Sequence, residues 1–322
     1  MEHVAIFCSK DTAAYGFGDD HPFGPDRQDA FLAEFKARGL DRDVLMLPAH
    51  PANRLDVELF HGGDYLDFLR DRCARDGGYL DMGDTPALSH IPAAAHAVVG
   101  AALRAAEMLV EGSLAAAFLP IGGLHHAGRD HAAGFCALSD IGVVIEKLRS
   151  HYGLKRILYV DIDAHHGDGV FYAYEDDPDV WIVDTHQEAA TLYPGTGHAH
   201  ERGTGEAEGT KLNLPLPAGA DSAAFRAAWA EAAPFMEKAA PDFIIFQCGA
   251  DSVAGDPITQ LAFEPADHGF AARELMALAA KHCPGRILGL GGGGYNRANL
   301  AAAWNEVVAA MLAASRKAAA AG

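Results

Sequence analysis

Carboxylates and imidazoles alternate along Asp161-Ile162-Asp163-Ala164-His165-His166-Gly167-Asp168, at the point where the apolar run Ile157-Leu158-Tyr159-Val160 ends. Such a run bounded by glycine reads as a buried strand. Strand side chains alternate between faces, so Asp161, Asp163 and His165 leave the sheet on one side of the backbone. Oxygen and imidazole nitrogen aimed together form a donor set that zinc or manganese accepts. A lone strand-end aspartate commonly caps the next helix; acids and imidazoles at this density point instead to a metal site.

Three further strand ends gather polar groups. Gly122-Gly123-Leu124-His125-His126-Ala127-Gly128 follows Ile121, Cys248-Gly249-Ala250-Asp251 follows Gln247, and Gly291-Gly292-Gly293-Gly294-Tyr295-Asn296 follows Leu290. Asp163, His165 and Asp251 would supply three ligands and leave a position open, as catalytic zinc requires. Metal in such a site lowers the pKa of bound water and polarises a carbonyl. A neighbouring histidine can take the proton, and a carboxylate on its far nitrogen fixes the tautomer. Asp161 and Asp168 are available for this, one for each of His125 and His126. Tyr295, a neutral donor, could hydrogen-bond the oxyanion. Metal-assisted amide hydrolysis suits this set. The glycine run lacks both the GxGxxG spacing and the Lys-Ser/Thr of nucleotide loops.

The elements that must position these groups are legible as short apolar runs separated by helical stretches. Residues 4–8, 115–121, 156–162, 180–183, 243–247 and 286–290 read as strands. Amphipathic segments near 27–38, 64–73, 91–111, 140–150, 222–239, 267–281 and 297–314 read as helices. This alternation predicts an α/β fold with a mainly parallel sheet covered on both faces and ligands at the carboxyl ends of the strands. No repeat or flexible linker divides the chain, so residues 1–322 are expected to form one domain, with the alanine-rich tail over 315–322 fraying. Segments 10–26 and 185–210 resist regular assignment and are expected to be functional loops.

Composition narrows the function classes. With 25 basic against 44 acidic residues and a net charge of −19, a phosphate-binding surface is disfavoured, and direct nucleic-acid contact with it. Half of the residues are apolar, enough for a sizeable core. Cys8, Cys73, Cys136, Cys248 and Cys283 are odd in number and form no CxxC pair, which predicts reduced thiols in a cytoplasmic protein. Met1-Glu2-His3 lacks the basic region and long apolar stretch of a signal peptide, so none is expected. Arg104, Glu107 and Glu111 interrupt the longest apolar stretch, so no membrane span of about 18 residues is expected.

The motifs resemble those of the histone deacetylase superfamily, which includes bacterial acetoin-utilisation proteins and acetylpolyamine amidohydrolases. The matching residues are Gly123-Leu124-His125-His126-Ala127, Gly134-Phe135-Cys136, Asp161 through Gly169, Tyr193-Pro194-Gly195-Thr196-Gly197, Gly249-Ala250-Asp251 with Gly255-Asp256-Pro257, and Gly291 through Asn296. The resemblance implies the three-layer arginase-deacetylase fold, a parallel sheet of about eight strands flanked by helices. It implies zinc-dependent deacylation of acyl-lysine in a protein or peptide, or of a small acylated amine. By the same resemblance, a single zinc per chain belongs to Asp163, His165 and Asp251. His126 becomes the general base supported by Asp168, His125 with Asp161 assists electrostatically, and Tyr295 polarises the acyl oxygen. Phe135 and Tyr193 correspond to the aromatic walls of an acyl-lysine channel, with Gly134 and Gly293 among its substrate-binding residues. Asp84 corresponds to a rim aspartate that grips the substrate backbone. Without the resemblance, the two rings would be assigned to core packing.

Some positions depart from the family pattern. Relatives commonly hold a monovalent cation, here expected to be potassium, through Asp161, Asp163, His165 and a serine on the next strand; Asp184 stands in the serine's place. Asp161 and Asp184 are therefore the candidate ligands for that ion. Ile258 occupies the position of an acidic gatekeeper in a polyamine-selective branch, which weakens the acetylpolyamine alternative. A binuclear manganese ureohydrolase on the same fold would need another carboxylate near Asp251, where Gly249 offers none. A non-catalytic acyl-lysine binder would have lost a ligand, a histidine or Tyr295, and all are present.

Overall fold

A computed structural model of the chain describes residues 3–18, 20–48 and 50–321. Met1 and Glu2, where no signal peptide is expected, lie outside the described residues. So do Gly322 and the side chains of 318–321, at the end of the tail expected to fray. Among the described residues, eight strands form one sheet: β1 (Val4–Phe7), β2 (Val44–Leu47), β3 (Ala116–Leu119), β4 (Ile157–Asp161), β5 (Val180–Gln187), β6 (Lys211–Leu216), β7 (Phe243–Gln247) and β8 (Ile287–Leu290). Their order is β2-β1-β3-β8-β7-β4-β5-β6, and every neighbouring pair is parallel. Parallel pairing makes each connection cross a face, so all carboxyl ends emerge at one edge.

Alternation sends Ile157 and Tyr159 of β4 into one apolar layer and Leu158 and Val160 into the other. Helices Ile91–Val110 and Asp140–Tyr152 cover the first layer. Helices Arg27–Ala37, Ser222–Ala239, Pro265–His282 and Arg297–Ala321 cover the second. Burial on both faces is why the central strands read as unbroken apolar runs. Helix Ile91–Val110 corrects one expectation: by length and composition it could cross a membrane. In the fold it is a core helix, with Ala95, Val98, Ala102 and Leu109 buried.

The two strands missing from the sequence reading are the sheet's edges. β2 is a half-exposed strand of four residues, and β6 carries Lys211, Asn213 and Pro215, types that an edge tolerates. Lys211 is buried, its ammonium donating to the carbonyls of Asp177 at 2.9 Å and Val180 at 2.6 Å. Lys10–Ala13, Arg54–Val57 and Asp168–Ala173 are helices of less than two turns, too short for a period to register. β5 extends to Gln187, into the segment expected to be irregular. Helix Asp140–Tyr152 starts at Ser139, whose hydroxyl accepts from Gly142 N at 3.1 Å, a cap worth about 1 kcal/mol. Its first residue, Asp140, reaches back to the loop after β3.

Candidate active site

The loops after β3, β4, β7 and β8 meet at the carboxyl edge, and buried side chains fix each of them. Asp140 accepts from Gly123 N and Leu124 N, both at 2.8 Å, which holds the turn carrying His125 and His126. Gly123 has φ 81, and a Cβ there would lie 3.0 Å from Gly292 N, so the loops after β3 and β8 approach too closely here for a side chain. His125 Nδ1 is 2.7 Å from Asp161 Oδ2, and His126 Nδ1 is 2.6 Å from Asp168 Oδ1. Each imidazole thus has its own carboxylate.

Their electrostatics differ. Burial alone would lower His125, but Asp161 and Asp163 outweigh it and raise the ring to about 10. Burial first, and the charge of His125 second, press His126 down to about 4. The pair is therefore one cation beside one neutral ring, with centroids 4.1 Å apart.

His165 Nδ1 lies 3.1 Å from Asp163 Oδ1 and 3.0 Å from Asp251 Oδ2, and all three residues are buried. Among the described residues, these are the acids, imidazoles and thiols whose ligand atoms converge, within 4.8 Å of one another. Two carboxylate oxygens and one imidazole nitrogen at this spacing match the donor set of a tetrahedral zinc site with a free position. Burial, then Asp163, raises Asp251 to about 7; a divalent cation held here would let both carboxylates ionise together. Gln247 Nε2 and Gly293 N donate to Asp163 Oδ2 at 2.9 and 2.8 Å, orienting the ligand from behind. A Cβ on Gly249 would fall 1.9 Å from Asp163 Oδ2, so the strand end has no room for another side chain.

A pocket of about 240 Å³ opens onto this group, lined by His126, His165, Tyr295, Gly134 and Phe135, with Tyr193, Leu192, Ile258 and Asp84. Tyr295 stands beside Asn296, whose side chain caps the last helix by accepting from Ala298 N at 3.0 Å. Asp256 holds Tyr295 N at 2.8 Å. Burial, then Asp251 and Asp163, keeps the phenol protonated well above its usual range. Asp84 is raised to about 6 by burial and by Asp81. The larger groove of about 460 Å³ between the helices Pro265–His282 and Arg297–Ala321 is lined largely by alanine and lies away from these groups.

The structure therefore brings together His125, His126, Asp161, Asp163, Asp168, His165, Asp251 and Tyr295, and puts Asp84, Gly134, Phe135 and Tyr193 around the opening. Gly293, expected among the substrate-binding residues, lies against Asp163 and Asp251; a Cβ there would be 2.2 Å from Asp251 Oδ2. Asp184, expected as a ligand of potassium, has partners within the protein. It is fully buried, its Oδ1 is 2.7 Å from His186 Nδ1, and its Oδ2 accepts from Gly167 N at 2.8 Å. His186 Nε2 faces the Gly197 carbonyl at 2.8 Å, so both ring nitrogens meet acceptors, and although burial would lower the ring's pKa, Asp184 outweighs it and raises it. Both Asp184 carboxylate oxygens are thus engaged by groups of the protein itself.

Sequence reading missed the supporting residues. Arg27 is wholly buried and donates to the carbonyls of Gly294 at 2.9 Å and Gly292 at 2.5 Å, with its guanidinium 4.0 Å from the Phe23 ring centroid. Gln247 carried a faint signal as a polar residue closing the run Phe243-Ile244-Ile245-Phe246. Asp140 and Arg27 carried none, because their partners are backbone atoms distant in sequence.

Known proteins resemble this chain in sequence and fold. The histone deacetylase domain family matches residues 21–311. The chain is 34% identical over 307 residues to the acetoin utilization protein AcuC of Bacillus subtilis, covering 92% of this chain and 78% of that protein. It is 33% identical over 282 residues to a probable deacetylase of Archaeoglobus fulgidus, covering 86% and 77%. With the chloroplastic histone deacetylase 10 of Oryza sativa, identity is 33% over 274 residues, covering 81% of this chain and 61% of the relative. The crystal structure of the HDA15 HD domain aligns with a TM-score of 0.89 at 26% identity, over 97% of this chain and 89% of the other.

Proposed function

Because the chain belongs to the histone deacetylase family, we propose that it is a zinc-dependent amidohydrolase removing a short acyl group, acetate foremost, from a lysine side chain or a related amine. Asp163, His165 and Asp251 would hold the zinc, which supplies acidity to water and polarises the acyl carbonyl. The observation that carries the reading is the pair of histidines beside that group, each on its own carboxylate at 2.7 and 2.6 Å, with Tyr295 on the same pocket wall.

Phe135 and Tyr193 flank the pocket and would clasp the aliphatic stem of the substrate. His126 is neutral near pH 7, so it accepts the proton of the attacking water, and Asp168 holds its Nδ1. His125, charged and paired with Asp161, offsets negative charge as the tetrahedral centre forms. The Tyr295 hydroxyl donates to the acyl oxygen. Protonated His126 then gives its proton to the leaving amine. Ile258 on the wall favours an aliphatic stem over a second ammonium at that depth. The unpaired cysteines support a cytoplasmic setting.

The test is turnover of acyl-lysine peptides, acetylated polyamines and longer acyl chains with bound metal quantified. Acetyl-lysine cleavage at about one zinc per chain supports the proposal. A requirement for two manganese ions, or cleavage of guanidines instead, would overturn it.

A further inference from the structure

Phe135 has φ 68, and Gly134 before it has φ 50, so two successive residues of the pocket wall are left-handed and one of them carries a bulky ring. A non-glycine residue persists in that region only when its surroundings hold it there. Two buried hydroxyls do so. Tyr15, fully buried, donates to the Phe135 carbonyl at 2.8 Å and accepts from Ala137 N at 2.8 Å, closing the turn from inside. Thr85, also fully buried, accepts from Phe135 N at 2.9 Å.

Thr85 also belongs to the rim. Its hydroxyl donates to the Asp81 carboxylate, whose other oxygen accepts from Gly83 N, Asp84 N and Thr85 N at 3.0, 3.1 and 3.0 Å. One side chain therefore fastens the loop presenting Asp84 to the backbone of Phe135. The turn is equally close to the chemistry, since a Cβ on Gly134 would lie 2.4 Å from His126 Cδ2. Movement of the wall would press on the imidazole or withdraw from it.

We propose that Tyr15 and Thr85 are positioning residues for substrate, holding the Gly134–Phe135 turn left-handed and joining the Asp84 rim to the aromatic wall as one unit. This rests on the deacylase reading, in which Phe135 clasps the acyl-lysine stem. A peptide gripped at Asp84 then meets a wall whose distance from the rim is fixed by the Thr85 hydroxyl.

The test uses Thr85→Val, which keeps the shape and loses the hydroxyl, Thr85→Ser, which keeps the hydroxyl, and Tyr15→Phe. For an acetyl-lysine peptide, Thr85→Val and Tyr15→Phe are expected to raise KM about tenfold, the scale of one hydrogen bond, with kcat changed less than about threefold and bound zinc unchanged. Thr85→Ser should restore KM. Crystal structures of the same variants provide an arm independent of activity: Phe135 should leave the left-handed region or split between conformers in Thr85→Val and return in Thr85→Ser. Unchanged KM in both hydroxyl-less variants, or an unmoved Phe135, overturns the proposal even if their melting temperatures fall. Should the wild-type enzyme cleave no acylated amine, the deacylase reading fails with its substrate role, and the crystal structures alone decide whether the clamp exists.

Discussion

His126 turns Nδ1 toward Asp168 Oδ1 at 2.6 Å, which leaves Nε2 as the nitrogen available to the pocket. Asp168 thereby selects the tautomer that can accept a proton on the substrate side. His126→Ala is expected to lower kcat about 10³-fold, and Asp168→Asn about 10²-fold, with zinc retained in both. Steady-state kinetics on metal-quantified protein checks this. Full activity in His126→Ala would remove the proposed base.

Tyr295→Phe separates packing from proton donation. Its ring stands 5.9 Å from Phe135 and 6.4 Å from Phe23, contacts that phenylalanine would preserve. Loss of the oxyanion donor should cost about 10²- to 10³-fold in kcat while KM moves little. A variant as active as wild type would assign the acyl oxygen to another donor.

Asp251→Ala removes one of the three converging ligands, whereas Gln247→Ala removes only the amide behind Asp163. Zinc affinity should fall by more than about 100-fold in the first and about 10- to 100-fold in the second. Competition with a chromogenic chelator measures both. Equal affinities would contradict the ligand assignment.

Asp84 gives the rim a pH signature. Its carboxyl is raised to about 6, so it is charged at pH 7 and becomes neutral as pH falls through that value. If the carboxylate accepts a substrate backbone N–H, KM for a peptide should rise as pH drops from 7 to about 5, by up to about tenfold. Asp84→Asn should flatten this limb of the KM profile without changing kcat at pH 7. A limb that survives in the variant would trace to another group.

The buried Asp184–His186 pair predicts indifference to potassium. A native-state site saturated a hundredfold above its dissociation constant would add about 2.7 kcal/mol of stability, a rise of several degrees in Tm. Exchange of potassium chloride for choline chloride should therefore leave the melting temperature unmoved. His186→Gln, which strips the buried carboxylate of its cation, should destabilise the fold by about 3–5 kcal/mol. A saturable rise in melting temperature with potassium would reverse the assignment.

The residues proposed to act on substrate or metal were legible because each is a polar interruption at the end of an apolar run: Asp161, Asp163 and His165 after Val160, Asp251 beyond Phe246, Tyr295 past Leu290. The residues that hold them were not. Arg27 lies more than 260 positions from the glycine carbonyls it binds, and Tyr15 is 120 positions from Phe135. A hydrogen bond to a backbone atom leaves no requirement on residue type at the partner and so no pattern to read. The outer strands failed for other reasons: β2 is only four residues long, and in β6 Lys211, Asn213 and Pro215 interrupt the apolar run that marks the inner strands.

The strand order has a consequence for synthesis. β7 and β8, made last, occupy the middle of the sheet between β3 and β4. A nascent chain that has emerged only through β6 can pair β1 with β3 and β4 with β5, but it holds two apolar half-sheets with open inner edges. Such edges template pairing between chains. Until residues 243–290 leave the ribosome the two halves have nothing to join them, and the protein should depend on chaperone cover during that interval.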